Sequence, residues 1–338
     1  METDKKRAST NGRFRHTPFG RTLVSNLFGR QQGTKKMSAS KLTGRPLKTN
    51  AQRLKLLMFG PPGCGKTTAA IQMPRPYILD MERGCVHYKG LIDKAGGVVV
   101  PAEDEDDPSS KPSKPPPSYN EVVSEIHALM TEDHPYQTLV IDPVTPLYDQ
   151  LLTDAEKKVG RDWGVHYQDA AKKMKRLMNL ILGLDMNVIM TAHSKNEYGD
   201  ALKVIGQTFD GWKNLPYIFD LVLRLRQVSP QVREAEVIKT RISQFPSGDQ
   251  FAWSYEAIAD RYGVDVLERK SAKLDLATDE HVIQFNDLFA KLEETEIERL
   301  GIKKALRGVA DIADLEDARI VKGISVLEEY LSTKKGSM

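Results

Sequence analysis

The sequence predicts an α/β fold, with a largely parallel sheet flanked by helices and a small helical C-terminal module. Three observations predict it. From Arg53 to about residue 262, short apolar runs of strand type alternate with segments of helical spacing. A glycine-rich turn separates the first such run from the first helix. After about residue 270 no strand candidate remains. Strands that alternate with helices are joined by crossovers and therefore pair in parallel.

The elements follow in order. LKLLMF, beginning at Leu54, is a buried-type strand, and KTTAAIQM continues as a helix. PYILD is a second strand and GVVV at 97–100 a third. The insertion at 101–118, acidic and then rich in Pro, Ser and Lys, cannot pack a core and predicts an exposed loop. YNEVVSEIHALMT is an amphipathic helix, QTLVID a strand, PLYDQLLTDAEKKV a helix and HYQDAAKKMKRLMNLILGLD a longer one. NVIMTAH, FDLVLRL, AEVIKTRISQF and FAWSY are further strands. HVIQFNDLFAKLEE, EIERLGIKKALRG and LEDARIVKGISVLEEYL are three terminal helices, in which Leu288, Leu292, Ile297 and Leu300 are expected to form core. The predicted division is a basic disordered tail at 1–52, an α/β core at 53–270 and a helical module at 271–338.

Composition excludes several classes. No apolar run has the length of a membrane span, so no membrane partner is expected. Two cysteines, Cys64 and Cys85, in 338 residues argue for a reducing compartment and against a disulfide framework. The net charge of +3 conceals a basic first 55 residues, with fourteen Lys or Arg against Glu2 and Asp4, and an acidic remainder. Such a tail suits either a nucleic-acid tether, with Phe14, Phe19 and Phe28 among the cations, or a solubilising extension that leaves Met37 as a second start.

The glycine-rich turn reads GPPGCGKTT and fits G-x-x-x-x-G-K-[ST]. Residues Gly60, Pro61, Pro62, Gly63, Cys64, Gly65, Lys66, Thr67 and Thr68 would cradle a nucleoside triphosphate, ATP, through backbone N–H groups. Lys66 would neutralise the β- and γ-phosphates, and the Thr67 hydroxyl would bind Mg²⁺. Cys64 reads as a small filler. Asp142 ends the apolar strand TLVID, where a second Mg²⁺-associated carboxylate belongs, usually acting through water. Hydrolysis also needs a group that orients or deprotonates water. Asp142 is followed by Pro143 instead of a second carboxylate, which leaves Glu82, in YILDMERG, as the best substitute.

These motifs resemble the RecA-like recombination ATPases. The resemblance implies a RecA-like P-loop core, a catalytic glutamate in a D-x-E setting at Asp80-Met81-Glu82, and a γ-phosphate-sensing residue after the fourth core strand at His193. The closer resemblance of the two is to the short RecA-like ATP-binding proteins of bacteriophages, some of them single-strand annealing proteins of the Sak type. GPPGCGKTT, YILDME, VIDPVTPLY, TAHSK and FPSGDQFAWSY carry the likeness, over roughly residues 54–262. Pro143 and the 101–118 insertion depart from it.

The stretch AEVIKTRISQF holds Lys239 and Arg241 two residues apart. Strand alternation would give Val237, Lys239, Arg241 and Ser243 one face and Ile238, Thr240 and Ile242 an apolar one. By itself the pair is either a solvated edge or an anion site. The resemblance implies cations that reach the γ-phosphate held by a neighbouring copy, and hence a ring or filament of this chain. It also implies two loops that bind single-stranded DNA. One would carry Lys157, Lys158, Arg161 and Trp163, and the other would run from Lys195 to Lys213 with Lys203, Tyr198, Phe209 and Trp212. The function so implied is a DNA-stimulated ATPase of DNA recombination that anneals or pairs strands, in the bacterial host cytoplasm, with a single-strand-binding protein or other recombination or replication factor as a candidate partner. A helicase loader or DNA motor, and a non-catalytic nucleotide switch, remain open alternatives.

Overall fold

The computed structural model describes residues 52–101, 115–198, 203–306, 309 and 311–335. The basic tail and most of the 101–118 insertion lie outside these residues. The chain divides into two compact units between Asp275 and Leu276.

The first unit is built on a nine-stranded sheet. Its strands are β1 (Lys55–Gly60), β2 (Pro76–Asp80), β3 (Val98–Val100), β4 (Thr138–Asp142), β5 (Asn187–Tyr198), β6 (Val204–Asp210), β7 (Leu221–Gln227), β8 (Arg233–Thr240) and β9 (Gln250–Ala252). The spatial order is β3-β2-β4-β5-β1-β7-β8-β9, with β6 paired to the far end of β5. Strands β1 to β5 and β7 pair in parallel; β6, β8 and β9 are antiparallel additions.

The helices of this unit are α1 (Lys66–Ile71), α2 (Lys89–Ala95), α3 (Tyr119–Thr131), α4 (Val144–Val159), α5 (Val165–Gly183), α6 (Leu215–Ile218), α7 (Tyr255–Tyr262) and α8 (Val264–Leu267). Every residue of β1 and β4 is buried, as central parallel strands covered on both faces require. On one face Leu56, Met58, Ile78, Val140, Ile189 and Leu223 pack with Ala69, Ile71, Ile92, Ile258 and Leu267 from α1, α2, α7 and α8. Phe245, Phe251 and Trp253 of the late FPSGDQFAWSY stretch join this layer, and the Trp253 indole donates to Gln72 Oε1 at 3.0 Å. That stretch is therefore packing beneath the glycine-rich turn, and FAWSY is strand only to Ala252. Ser254 then caps α7 by accepting from the Ala257 N–H.

Two other expectations are corrected. The predicted loop from Lys195 to Lys213 is largely the β5–β6 hairpin, and Phe209 and Trp212 are buried within it. Within β8 the register shifts, so that Leu223 faces Val237 while Val222 faces Lys239. Ile238 is the additional residue of this bulge and is 41% exposed, whereas Val237 is buried. The strand ends at Thr240, so the predicted apolar face of Ile238, Thr240 and Ile242 does not form.

The second unit contains α9 (Asp279–Phe289), α10 (Glu294–Leu300), α11 (Ile302–Ala305) and α12 (Asp317–Lys335). Phe285, Leu292, Leu300, Ile320 and Leu327 form its core, with Leu288 and Ile297 packed against them. The middle helix is interrupted where Gly301 adopts a left-handed conformation at φ 69° and closes α10. Among the described residues no helix is long and apolar enough to cross a membrane.

One buried cation gives this fold a pH signature. The Lys55 ammonium donates to the carbonyls of Leu184 and Met186 at 2.9 and 2.8 Å, and burial pulls its pKa down to about 7. An unfolded lysine titrates near ~10.4. Between these values the unfolded chain binds more protons, so this residue's contribution to stability rises with pH. Denaturant unfolding of wild type and Lys55→Met at pH 7 and pH 10 should give a stability difference that shifts in favour of wild type at the higher pH. A difference independent of pH would show that Lys55 titrates normally.

Candidate functional site

Parallel pairing brings the carboxyl ends of β2, β4, β5 and β1 to one edge of the sheet. Asp80 is in register with Asp142, and Gly60 with His193. The phosphate loop leaves this edge between β1 and α1. Gly60 must lack a side chain, because a Cβ there would lie 2.4 Å from the Leu225 carbonyl oxygen of β7. Gly65, in a left-handed conformation at φ 90°, turns the chain into α1. The Lys66 ammonium donates to the carbonyls of Gly60 and Pro61 at 2.9 and 3.2 Å, spanning the mouth of its own loop. Cys64 is buried against Gly60, and burial raises its thiol pKa, so the side chain is an uncharged filler. Thr68 closes the turn by donating to the Gly65 carbonyl at 2.9 Å.

Behind the loop, the Thr67 hydroxyl donates to Asp142 Oδ2 at 2.6 Å, and the Thr191 hydroxyl of β5 donates to Oδ1 of the same carboxylate. Asp142 is 5% exposed; burial raises its pKa, and the two hydroxyls offset part of that rise. A hydroxyl beside a carboxylate suits Mg²⁺, a hard cation that completes its shell with water and phosphate oxygens instead of a protein cage. Thr67 would hold the ion directly and Asp142 through water.

Asp80 and Glu82 have different tasks. The Asp80 carboxylate is 3% exposed and accepts from the backbone N–H groups of Glu82, Gly84 and Cys85 at 3.2, 3.1 and 2.7 Å. It fixes the turn after β2 and is spent on structure. Glu82, held out on that turn, has its carboxylate 45% exposed and 2.9 Å from His193 Nε2. Thr145 of α4 sets the height of His193, accepting from its backbone N–H at 3.0 Å while donating to the Asp210 carbonyl at 2.7 Å. Thr145 and Thr191 carry no motif. Their signal was a lone hydroxyl within an apolar stretch, which a buried site must partner.

Of the other predicted residues, Lys239 and Arg241 lie farthest from this edge. Since β8 runs antiparallel, Lys239 and Arg241 lie at the opposite end of the sheet, where Leu221 pairs with Thr240. Lys239 donates to the Phe219 carbonyl, and Arg241 to those of Ile218 and Tyr217, with Asp220 3.5 Å from its guanidinium. Burial, with Arg241 adding to it, lowers the Lys239 pKa. Lys157, Lys158 and Arg161 cluster where α4 turns into α5. Lys158 lies 3.5 Å from Asp169, and Arg161 lies 2.6 Å from Glu156. Trp163, at φ 54°, is fully exposed in this turn, and Tyr167 is half exposed beside it. In the hairpin Lys195 pairs with Asp210 at 3.0 Å, while Lys203 and Lys213 are exposed.

The chain matches the AAA domain family over residues 52–251, more than half of its length, and belongs to that family. It is a nucleotide-binding protein of the AAA/P-loop NTPase class. No curated protein matches it.

Asp142→Asn keeps the shape of the buried site and removes its charge. ATP affinity of this variant should become independent of Mg²⁺, and turnover should fall about a hundredfold or more, as loss of metal-assisted charge stabilisation implies. Titration of ATP in Mg²⁺ and in chelator, beside the same titration of wild type, checks this. A variant that keeps the wild-type metal response would put Asp142 outside the metal site.

Proposed function

We propose that this AAA-family chain is an ATP hydrolase of DNA recombination that assembles on single-stranded DNA and promotes annealing or strand pairing, as do the Sak-type phage proteins that its motifs resemble. The observation that carries the DNA part is Trp163. A fully exposed indole on a left-handed turn, with Lys157, Lys158 and Arg161 close in sequence, has no packing role among the described residues. Aromatic faces and cations together are what a single strand requires, since bases stack on the first and phosphates pair with the second.

In the ATPase cycle Lys66 leaves its loop carbonyls for the phosphates. Bound Mg²⁺ would neutralise phosphate charge beside Thr67 and Asp142. Glu82 orients and deprotonates the attacking water, while His193 holds the free carboxylate in place and releases it when the γ-phosphate arrives. Lys239 and Arg241 then serve a neighbouring copy in a ring or filament, leaving their carbonyl partners to do so. A host cytoplasm and a single-strand-binding or other recombination partner accord with this role.

A non-catalytic switch draws on a specific observation, the engagement of the Glu82 carboxylate by His193 at 2.9 Å. Glu82→Gln separates the two readings. For a hydrolase, turnover falls about a hundredfold to ten-thousandfold with ATP affinity retained; for a switch, neither quantity moves.

ATP turnover with and without single-stranded DNA, on wild type, Lys66→Ala and Trp163→Ala, tests the whole proposal. Wild type should be stimulated by DNA, Lys66→Ala inactive in both conditions, and Trp163→Ala active but weakly stimulated. DNA affinity should fall steeply with added salt. Absence of turnover in wild type under both conditions would sink the recombinase assignment.

A further inference from the structure

Arg233 opens β8 at the same edge as the phosphate loop, and its side chain occupies the space that Gly65 leaves by having no side chain. A Cβ on Gly65 would lie 1.7 Å from Arg233 Nε and 2.4 Å from its Cδ. The Nε is buried and has no hydrogen-bond partner, and no ion pair to this guanidinium exists among the described residues. The same hairpin treats its other arginines differently. Arg224 pairs with Glu236 at 2.5 Å, and Arg226 pairs with Glu234. The β7–β8 hairpin thus supplies carboxylates to two guanidinium groups and none to the one that leans on the phosphate loop. A half-buried cation without an anion is unfavourable unless something anionic arrives. On the reading of this loop as a nucleotide site, the arriving anion is the phosphate chain.

We propose that Arg233 is a nucleotide-binding residue supplied by the chain's own β8, a second cation that contacts the phosphate chain of the triphosphate held by the loop. Its planar fork complements Lys66, which acts as a point charge. It differs from Lys239 and Arg241 in acting within one chain, so its effect does not depend on assembly. The inference rests on nucleotide binding at this loop, and it adds a residue outside the glycine-rich motif.

Binding of a fluorescent ATP analogue, and its displacement by inorganic triphosphate, tests this on wild type, Arg233→Met and Arg233→Lys, with thermal unfolding of each. Met retains the apolar stem against Gly65, and Lys retains the charge. Loss of a charge-assisted contact corresponds to about a tenfold to hundredfold weaker binding. Arg233→Met should weaken both ligands by that factor at an equal or higher melting temperature of the unliganded protein, since it removes an unpaired half-buried charge, and Arg233→Lys should recover part of the loss. Wild-type affinity in a folded Arg233→Met overturns the assignment alone, as does a loss for the analogue with triphosphate displacement unaltered, which would mark a base or ribose contact. Failure of wild type itself to bind brings down the nucleotide reading and this inference together. Should Arg233→Met not fold, equal affinity of folded Arg233→Lys and Arg233→Gln overturns it, and a charge-dependent difference between them supports it.

Discussion

The edge on which the chemistry sits depends on one buried carboxylate. Asp142 accepts hydroxyl hydrogen bonds from Thr67 at the start of α1 and from Thr191 on β5, so it ties the phosphate loop to a strand that does not carry it. Its backbone carbonyl also accepts from the Met81 N–H at 2.8 Å, which joins the turn after β2 to the same point. A carboxylate removed from water would be unfavourable without these donors. With them, the loop, the β2 turn and β5 are held in one relation before any ligand arrives. Preorganisation of this kind lets phosphate charge be stabilised without reorganising the site.

The turn after β2 extends the same logic. Asp80 and Glu82 are chemically equivalent in the sequence, and burial assigns them different work. Asp80 is surrounded by backbone N–H groups and takes three of them. Those bonds bend the chain sharply enough that Glu82, two residues on, stands free of the sheet and meets His193 across the edge. The structural carboxylate therefore aims the exposed one, the carboxylate proposed to act on water. His193 is positioned in turn by Thr145, so a chain of side-chain contacts runs from α4 through β5 to the β2 turn.

What could be read from the residues follows a physical boundary. Lys66, Thr67 and the glycines are legible because one continuous turn carries them, and its spacing is its geometry. Asp142 is legible because an apolar run that ends in an acid has a defined edge. Thr191, Thr145 and Arg233 are not, because parallel register and hairpin pairing bring them in from distant parts of the chain. A threonine inside NVIMTAH signals only that some partner must exist. The exposure of Ile238 is hidden for a related reason: strict alternation fails at a bulge, and nothing local in AEVIKTRISQF announces one. Phe209 and Trp212 look like loop aromatics until β6 pairs with β5 and turns them inward.

Strand direction also limits what the two ends of β8 can do. Arg233 begins the strand at the phosphate loop, and Lys239 lies six residues further along, roughly 20 Å away at ~3.4 Å per residue. No rotamer of Lys239 or Arg241 spans that distance, so neither reaches the nucleotide bound by its own loop. Both cations instead donate hydrogen bonds to the carbonyls at the end of α6, contacts that a short helix would otherwise leave to water. Any phosphate they meet must belong to another copy, and meeting it means exchanging those carbonyls for the anion. A charged phosphate is the stronger acceptor. The exchange would be favourable only where a neighbouring copy brought its nucleotide to that end of the sheet, so under the proposed assembly this pair would act between copies, whereas the proposed role of Arg233 lies within its own chain.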